Sequence, residues 1–101
     1  MLSRQLILFL RSTVLVALLV AAGCQTSPPV QEMSDARQAI TAAREAGAAE
    51  HAASELDAAV DFLASAEKYL KNRSFTFARR DAIAAKAKAL EAIKRTDADQ
   101  E

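Results

Sequence analysis

The sequence predicts an all-α protein, a small helical hairpin extended to an antiparallel three-helix domain. Of the residues in positions 24–101, twenty-one are alanine. Alanine is the strongest helix former, and the β-branched and aromatic residues that strands favour are scarce in the same region. Apolar residues also recur there every three or four positions, as they do in helices that bury one face. A chain of 101 residues is long enough for one small domain.

The first 23 residues have a different composition from the rest. Arg4 and Arg11 precede an uncharged apolar run over residues 14–22. A basic start, a short apolar stretch and small residues before a cleavage point are typical of a signal peptide. A transmembrane helix is the alternative, but it takes about 20 apolar residues to span a bilayer, and this run is shorter. We therefore expect residues 1–23 to be removed.

Residues 19–24 read LVAAGC, which resembles the lipobox of bacterial lipoproteins. The resemblance implies cleavage between Gly23 and Cys24, followed by covalent lipidation of Cys24. The position three before the cysteine is usually leucine or a similar aliphatic residue in that motif, and here it is Ala21. An ordinary signal peptide, cut near Ala22, is the alternative.

The residue after the lipidated cysteine is Gln25 rather than aspartate. In Gram-negative lipoproteins this goes with transfer to the outer membrane. The resemblance thus implies an outer-membrane protein, anchored by its lipid, whose domain faces the periplasm. Several acyl chains hold a protein firmly on a bilayer because each buried CH₂ contributes about 0.8 kcal/mol.

The remaining chain is expected to have three parts. Residues 24–33 contain the lipidated cysteine and two prolines and predict an extended tether. Residues 34–95 predict the alanine-rich three-helix domain. Residues 96–101 are acidic and predict a disordered tail.

Capping signals place the first helix over Asp35–Ala46. Ser34 is expected to cap its start and Gly47 to end it. Its apolar stripe is thin and consists of Ala36, Ile40 and Ala43.

The second helix is expected to follow Ser54, which would form a capping box with Asp57, and to run to about Lys71. Its buried stripe comprises Leu56, Ala59, Val60, Leu63, Ala66 and Leu70.

After a turn at residues 72–74, the third helix is expected to start after Ser74 and to continue to about Arg95. Its predicted stripe comprises Phe75, Ala78, Ala82, Ala85, Ala89 and Ile93, with Ile83 and Leu90 beside it.

Charge divides the helical region into two halves. Residues 31–67 carry eight acids and two bases, whereas residues 68–95 carry nine bases and two acids. We expect the acidic second helix to lie against the basic third helix, and Glu67 with Lys71 and Glu91 with Arg95 to pair one turn apart. The alternative is that the basic helix contacts an anionic surface through Lys68, Lys71, Arg79, Arg80, Lys86 and Lys88.

Other sites are largely excluded by composition. The whole chain has no net charge, one cysteine, one histidine and two glycines. It therefore predicts no nucleic-acid footprint, internal disulfide, multi-histidine zinc site or phosphate-binding loop. Glu50, His51 and Glu55 form an incomplete metal-ligand set, and His51 is expected in an exposed loop. Tyr69, Phe75 and Phe77 form an aromatic cluster that predicts the end of the core or a partner-docking patch.

Three blocks of sequence carry a family resemblance. Residues 34–40 (SDARQAI) and 42–48 (AAREAGA), together with the alanine and leucine spacing through residues 77–79 (FAR), resemble the bacterial lipoprotein family called domain of unknown function 4398. The resemblance covers about residues 33–93. Its members lie in Gram-negative envelopes and have no established catalytic residues. Many are followed by an OmpA-like peptidoglycan-binding domain, which residues 94–101 do not contain.

These observations predict a non-enzymatic lipoprotein of the cell envelope, with no cofactor beyond the lipid on Cys24 and no small-molecule substrate. The helical domain is expected to act as an adaptor that docks another envelope protein or the peptidoglycan wall. A membrane-surface module, whose basic third helix binds anionic lipid, is the alternative.

Overall fold

The computed structural model of this chain describes residues 3–13 and 27–101. Residues 3–13 are helical and exposed. Neither described range contains a helix that is long and apolar enough to cross a membrane. Gly23 and Cys24, where cleavage and lipidation are predicted, lie outside the described residues.

Residues 27–101 are almost entirely helical, which confirms the all-α prediction. Three long helices and one short helix follow one another along the chain, and the described residues contain no strand. The helices are α1 (Val30–Ala46), α2 (Ala48–His51), α3 (Ala53–Lys71) and α4 (Phe75–Gln100).

The three long helices run up, down and up. Residues 72–74 make a tight turn between α3 and α4, so these two helices are antiparallel. Glu32 near the start of α1 pairs with Arg79 near the start of α4, and Asp35 pairs with Lys86 further along both helices. Hence α1 and α4 run parallel. α4 packs against both α1 and α3, and it is the central helix.

Alanine fills most of the space between the helices. Ala43 of α1, Ala59 of α3 and Ala89 of α4 have no exposed surface. Such small side chains let helix axes approach to about 8 Å, the lower end for helix pairs. Ile83 and Leu90, predicted beside the buried stripe, are instead 55% and 49% exposed, because α1 and α3 cover only the alanine face of α4.

The first helix begins five residues earlier than predicted. Pro29 stands at its N-cap, where its missing N–H needs no partner, and the Met33 N–H donates to the Pro29 carbonyl over 3.0 Å. The Met33 side chain is 1% exposed and packs with Ala66 and Ala82. Residues 30–33 therefore belong to the folded domain and not to the tether, and Ser34 lies inside the helix rather than at its cap.

Gly47 ends α1 as predicted. Its φ of 99° is left-handed, and its N–H donates to the last carbonyls of the helix. The next four residues form the short helix α2 where a loop was expected, and Ala52 then precedes α3. The predicted capping box is wrong: Ser54 is already the second residue of α3, and no side chain caps its start.

The turn between α3 and α4 matches the prediction and has an unusual residue at its centre. Arg73 has a φ of 59°, in the region that glycine usually occupies at a helix end. The Ser74 N–H donates to the Tyr69 carbonyl and the Arg73 N–H to the Leu70 carbonyl, over 2.9 and 3.0 Å. These bonds satisfy the end of α3 and reverse the chain.

The predicted disordered tail is wrong, because α4 continues to Gln100. Thr96 is completely buried, and Oδ2 of Asp99 lies 2.8 Å from Nδ1 of His51 in α2. An acidic helix end is unfavourable for the helix dipole, but these tertiary contacts outweigh that local effect.

The two ion pairs predicted within helices are absent from the described residues, because Glu67, Glu91 and Arg95 pair elsewhere. Glu67 pairs with Arg37 of α1 over 3.3 Å, and Arg95 of α4 pairs with Glu55 of α3. Glu91 pairs with Lys88 over 3.2 Å. Two of these three pairs join different helices, so they hold the bundle together rather than supporting single helices.

Candidate docking groove between the last two helices

An open groove of about 450 Å³ lies between α3 and α4. Helix α3 contributes most of its lining and α4 contributes two charged side chains. The lining residues are Ala58, Asp61, Phe62, Ser65, Tyr69, Arg80 and Asp81. The groove therefore combines aromatic surface with both signs of charge.

Tyr69 lines one end of this groove, and Phe77 stacks on it just outside the lining; we call this pair the aromatic end of the groove. Their ring centroids are 5.3 Å apart at an interplanar angle of 29°, which is a stacked arrangement. The Arg80 guanidinium carbon lies 5.0 Å from the Phe77 ring centroid, within cation–π distance. Phe77 remains 49% exposed, so this end presents apolar surface to solvent.

Two of the three predicted docking aromatics thus come together. Phe75 is half-buried and is not a member of the stacked pair. It lies two positions before Phe77 on α4, and residues two apart on a helix do not share a face. Tyr69 and Phe77 alone of the three define the aromatic end of the groove.

Asp81 is the residue that sequence reasoning missed. Its side chain is buried on the alanine face of α4, where it accepts hydrogen bonds from the Ser65 hydroxyl over 2.6 Å and from Arg80 Nε over 3.1 Å. A buried carboxylate is costly unless it is paired in this way. The available signal was its position, since Asp81 interrupts the series Ala78, Ala82 and Ala85.

The six basic residues predicted to contact an anionic surface do not form one patch. Arg79 turns toward α1, where it contacts Glu32 over 3.3 Å and the Ser27 carbonyl over 3.0 Å. Lys86 also faces α1 and pairs with Asp35 over 3.9 Å.

The other four lie on different sides of the domain. Arg80 pairs with Asp81, which faces Ser65 of α3, and Lys88 pairs with Glu91 one turn further along α4. Lys68 and Lys71 are exposed near the end of α3.

His51 lies in α2 and is half-buried, not in an exposed loop. Its ring contacts Asp99, and Glu55 is engaged by Arg95 instead of joining a ligand set with it. Within residues 3–13 and 27–101, no three histidine, cysteine, aspartate or glutamate side chains are grouped so that they could hold a metal ion.

A family model matches this domain over nearly all of its length. The model described as Domain of unknown function (DUF4398) covers residues 31–101. The chain belongs to this family. The match starts in the first turn of α1 and includes the last turns of α4. The domain that the family model describes therefore includes residues 96–101, which were predicted to form a disordered tail. Neither the search of curated proteins nor that of solved structures returned a significant match.

Proposed function

We propose that this protein is a non-enzymatic lipoprotein of the cell envelope, anchored to the outer membrane through lipid on Cys24. Its helical domain faces the periplasm and docks another envelope protein or the cell wall through the groove between α3 and α4. The observation that carries the docking proposal is the half-exposed Phe77, stacked on Tyr69 and held under Arg80. A fixed, exposed aromatic surface is typical of an interaction site.

The fold would place this groove close to the bilayer. Five residues separate Cys24 from Val30, and the six Cα–Cα steps between them span at most about 22 Å when fully extended. The first turn of α1 lies beside the start of α4, because Arg79 contacts Glu32. The aromatic end of the groove is at this same end of the domain, so a lipid on Cys24 would hold it near the membrane surface.

The anchor is tested with Cys24→Ser. Metabolic labelling with a palmitate analogue should mark the native protein in the membrane fraction and should not mark this variant, which would be released or remain an uncleaved precursor. Thr26→Ser, two residues downstream, is the matched control and should be labelled normally. Unchanged labelling of Cys24→Ser would overturn the anchor.

Docking is tested by placing a photo-crosslinking amino acid at Phe77 in intact cells. The same protein or wall fragment should be captured repeatedly from this position, and Tyr69→Ala should reduce the capture. Thr41 is exposed on α1 and is the control position, from which this species should not be captured. Capture of lipid alone, or equal capture from both positions, would contradict the docking proposal.

A membrane-surface module is the second candidate, and one feature of the structure supports it. Lys68, Lys71 and Arg73 are all exposed at the α3–α4 turn, the end nearest the proposed anchor. Basic groups this close to an anionic leaflet each contribute about 1 kcal/mol. Lys86 pairs with Asp35 of α1 instead.

Introduced cysteines test this second candidate. Cys24 is the chain's single cysteine, and its thiol would be blocked by lipid, so a cysteine placed elsewhere can be labelled selectively. Fluorophores at Asn72→Cys and Asp97→Cys report on opposite ends of α4 in protein reconstituted into vesicles. Anionic lipid should increase quenching by head-group nitroxides at position 72, and salt should reverse the increase. Equal quenching at both positions, or no response to lipid charge, would reject the membrane-surface role.

A further inference from the structure

The charged residues that line the groove indicate which kind of partner segment would bind there. We propose that it binds a peptide segment in which an apolar side chain lies between an acidic and a basic side chain. This inference rests on the proposed docking function and assigns the chemistry of the docked segment. The acidic group would bind Arg80, the basic group would bind Asp61, and the apolar group would contact Phe62 and Tyr69.

Arg80 is oriented to receive a carboxylate. Asp81 accepts the hydrogen bond from its Nε, and the Phe77 ring supports one face of its guanidinium. Among the described residues, none accepts a hydrogen bond from its two Nη groups, and 61% of its side chain is exposed. Two parallel N–H donors match the two oxygens of a carboxylate, which a lysine in this place could not do.

Asp81 is a positioning residue for this guanidinium. Although it lines the groove, it is only 4% exposed, so it acts on a bound peptide through Arg80. The Ser65 hydroxyl occupies its other oxygen over 2.6 Å. Arg80 is thus held by Asp81 on one side and by the Phe77 ring on the other. A side chain held in this way loses less conformational entropy when it binds a ligand, which favours specific recognition.

Asp61 supplies the opposite charge on the same groove. It is exposed on α3, one turn before Ser65, and forms no ion pair within the described residues. Its neighbour Phe62 and the more distant Tyr69 are half-buried and line the groove with it. A segment with one charge alone would meet a like charge at one end of the groove, whereas a segment with both signs complements both ends.

The test uses four capped tripeptides and the mature lipidated protein, residues 24–101, in detergent micelles. The probe is acetyl-Lys-Phe-Glu-amide, together with its reversed sequence because the direction of the segment is open. Two analogues replace either lysine or glutamate by glutamine. Amide shifts of Phe62 and Tyr69 should titrate with the charged probe at about 1 mM. Each analogue should bind up to about fivefold more weakly, as expected for an exposed, charge-assisted contact.

Variants assign each charge to its partner. With Arg80→Gln, the probe should no longer bind more tightly than the analogue that lacks glutamate, but it should still bind more tightly than the analogue that lacks lysine. With Asp61→Asn, the probe should lose its gain in affinity over the analogue that lacks lysine and keep its gain over the other. Lys94→Gln and Asp57→Asn make the same charge changes at exposed positions outside the groove lining and should leave both advantages intact. Equal binding of the charged probe and its two analogues, no saturable binding, or equal effects of the control variants would overturn the proposal.

The crosslinking experiment separates this inference from the docking proposal. If Phe77 still captures a defined partner while the charged probe shows no advantage, the groove docks a partner but the assigned chemistry is wrong. If the probes bind as expected while Phe77 captures nothing in cells, the chemistry holds and the docking function is wrong.

Discussion

The Ser65 hydroxyl donates a 2.6 Å hydrogen bond to Oδ2 of Asp81, which joins α3 to α4 within the lining of the groove. The Asp81 side chain is buried, and its other oxygen accepts from Arg80. One carboxylate therefore serves both the contact between the two helices and the orientation of an exposed guanidinium.

Asp81→Ala should lower the free energy of unfolding by about 1 to 3 kcal/mol, because it leaves the Ser65 hydroxyl without its partner inside the domain. Asp81→Asn keeps the shape and one acceptor oxygen and should cost less. Chemical denaturation followed by circular dichroism measures both. A cost-free alanine substitution would show that Asp81 does not stabilise the helix pair.

Met33→Ala should destabilise the domain by about 2 to 5 kcal/mol, because the methionine is 1% exposed and packs with Ala66 and Ala82. In a domain this small, such a loss would unfold much of the population. The matched control is Val30→Ala in the same turn, where the side chain is 72% exposed and a change within about 0.5 kcal/mol is expected. If both substitutions were neutral, residues 30–33 would be a tether after all.

Ending the chain after Arg95 should lower the thermal midpoint, since it removes the buried Thr96 and the contact between His51 and Asp99. Removal of Glu101 alone should not, because that residue is exposed and lies beyond α4. Thermal unfolding by circular dichroism distinguishes the two. A disordered tail would instead make the longer truncation neutral.

A double-mutant cycle should find the coupling of Arg95 with Glu55 on α3 rather than with Glu91 on its own helix. Arg95→Gln leaves the nearly buried Glu55 carboxylate without its cation, and we expect a loss of about 1 kcal/mol, reduced by the exposure of the arginine. Unfolding free energies of Glu55→Gln, Glu91→Gln and their double variants with Arg95→Gln provide the measurement. A larger coupling to Glu91 would restore the pairing that the sequence predicted.

Local sequence signals were sufficient for the helices as a class and for two of their ends. Gly47 and residues 72–74 stop helices through backbone geometry that a few neighbouring residues determine. The predicted start of α1 and the predicted end of α4 are wrong, because proline and acidic residues locally disfavour a helix at those positions. Burial of Met33 and Thr96 against other helices decides those ends.

The candidate site divides in the same way. Aromatic residues close together in sequence pointed to Tyr69 and Phe77, which the helix turn does bring into contact. Asp61, Ser65 and Asp81 lie on two helices and up to 20 positions apart, and no spacing rule within one helix links them.

The sequence by itself determined the all-α class, the alanine-rich helix faces and the family, because helix propensity and periodicity are properties of neighbouring residues. Only the tertiary structure decided which charges pair and which aromatic surface stays exposed. A charged side chain on a helix can reach partners on its own turn or on an adjacent helix, and the choice depends on how the helices are placed. Arg95 is an example: it does not pair with Glu91, one turn away on its own helix, but contacts Glu55 on α3.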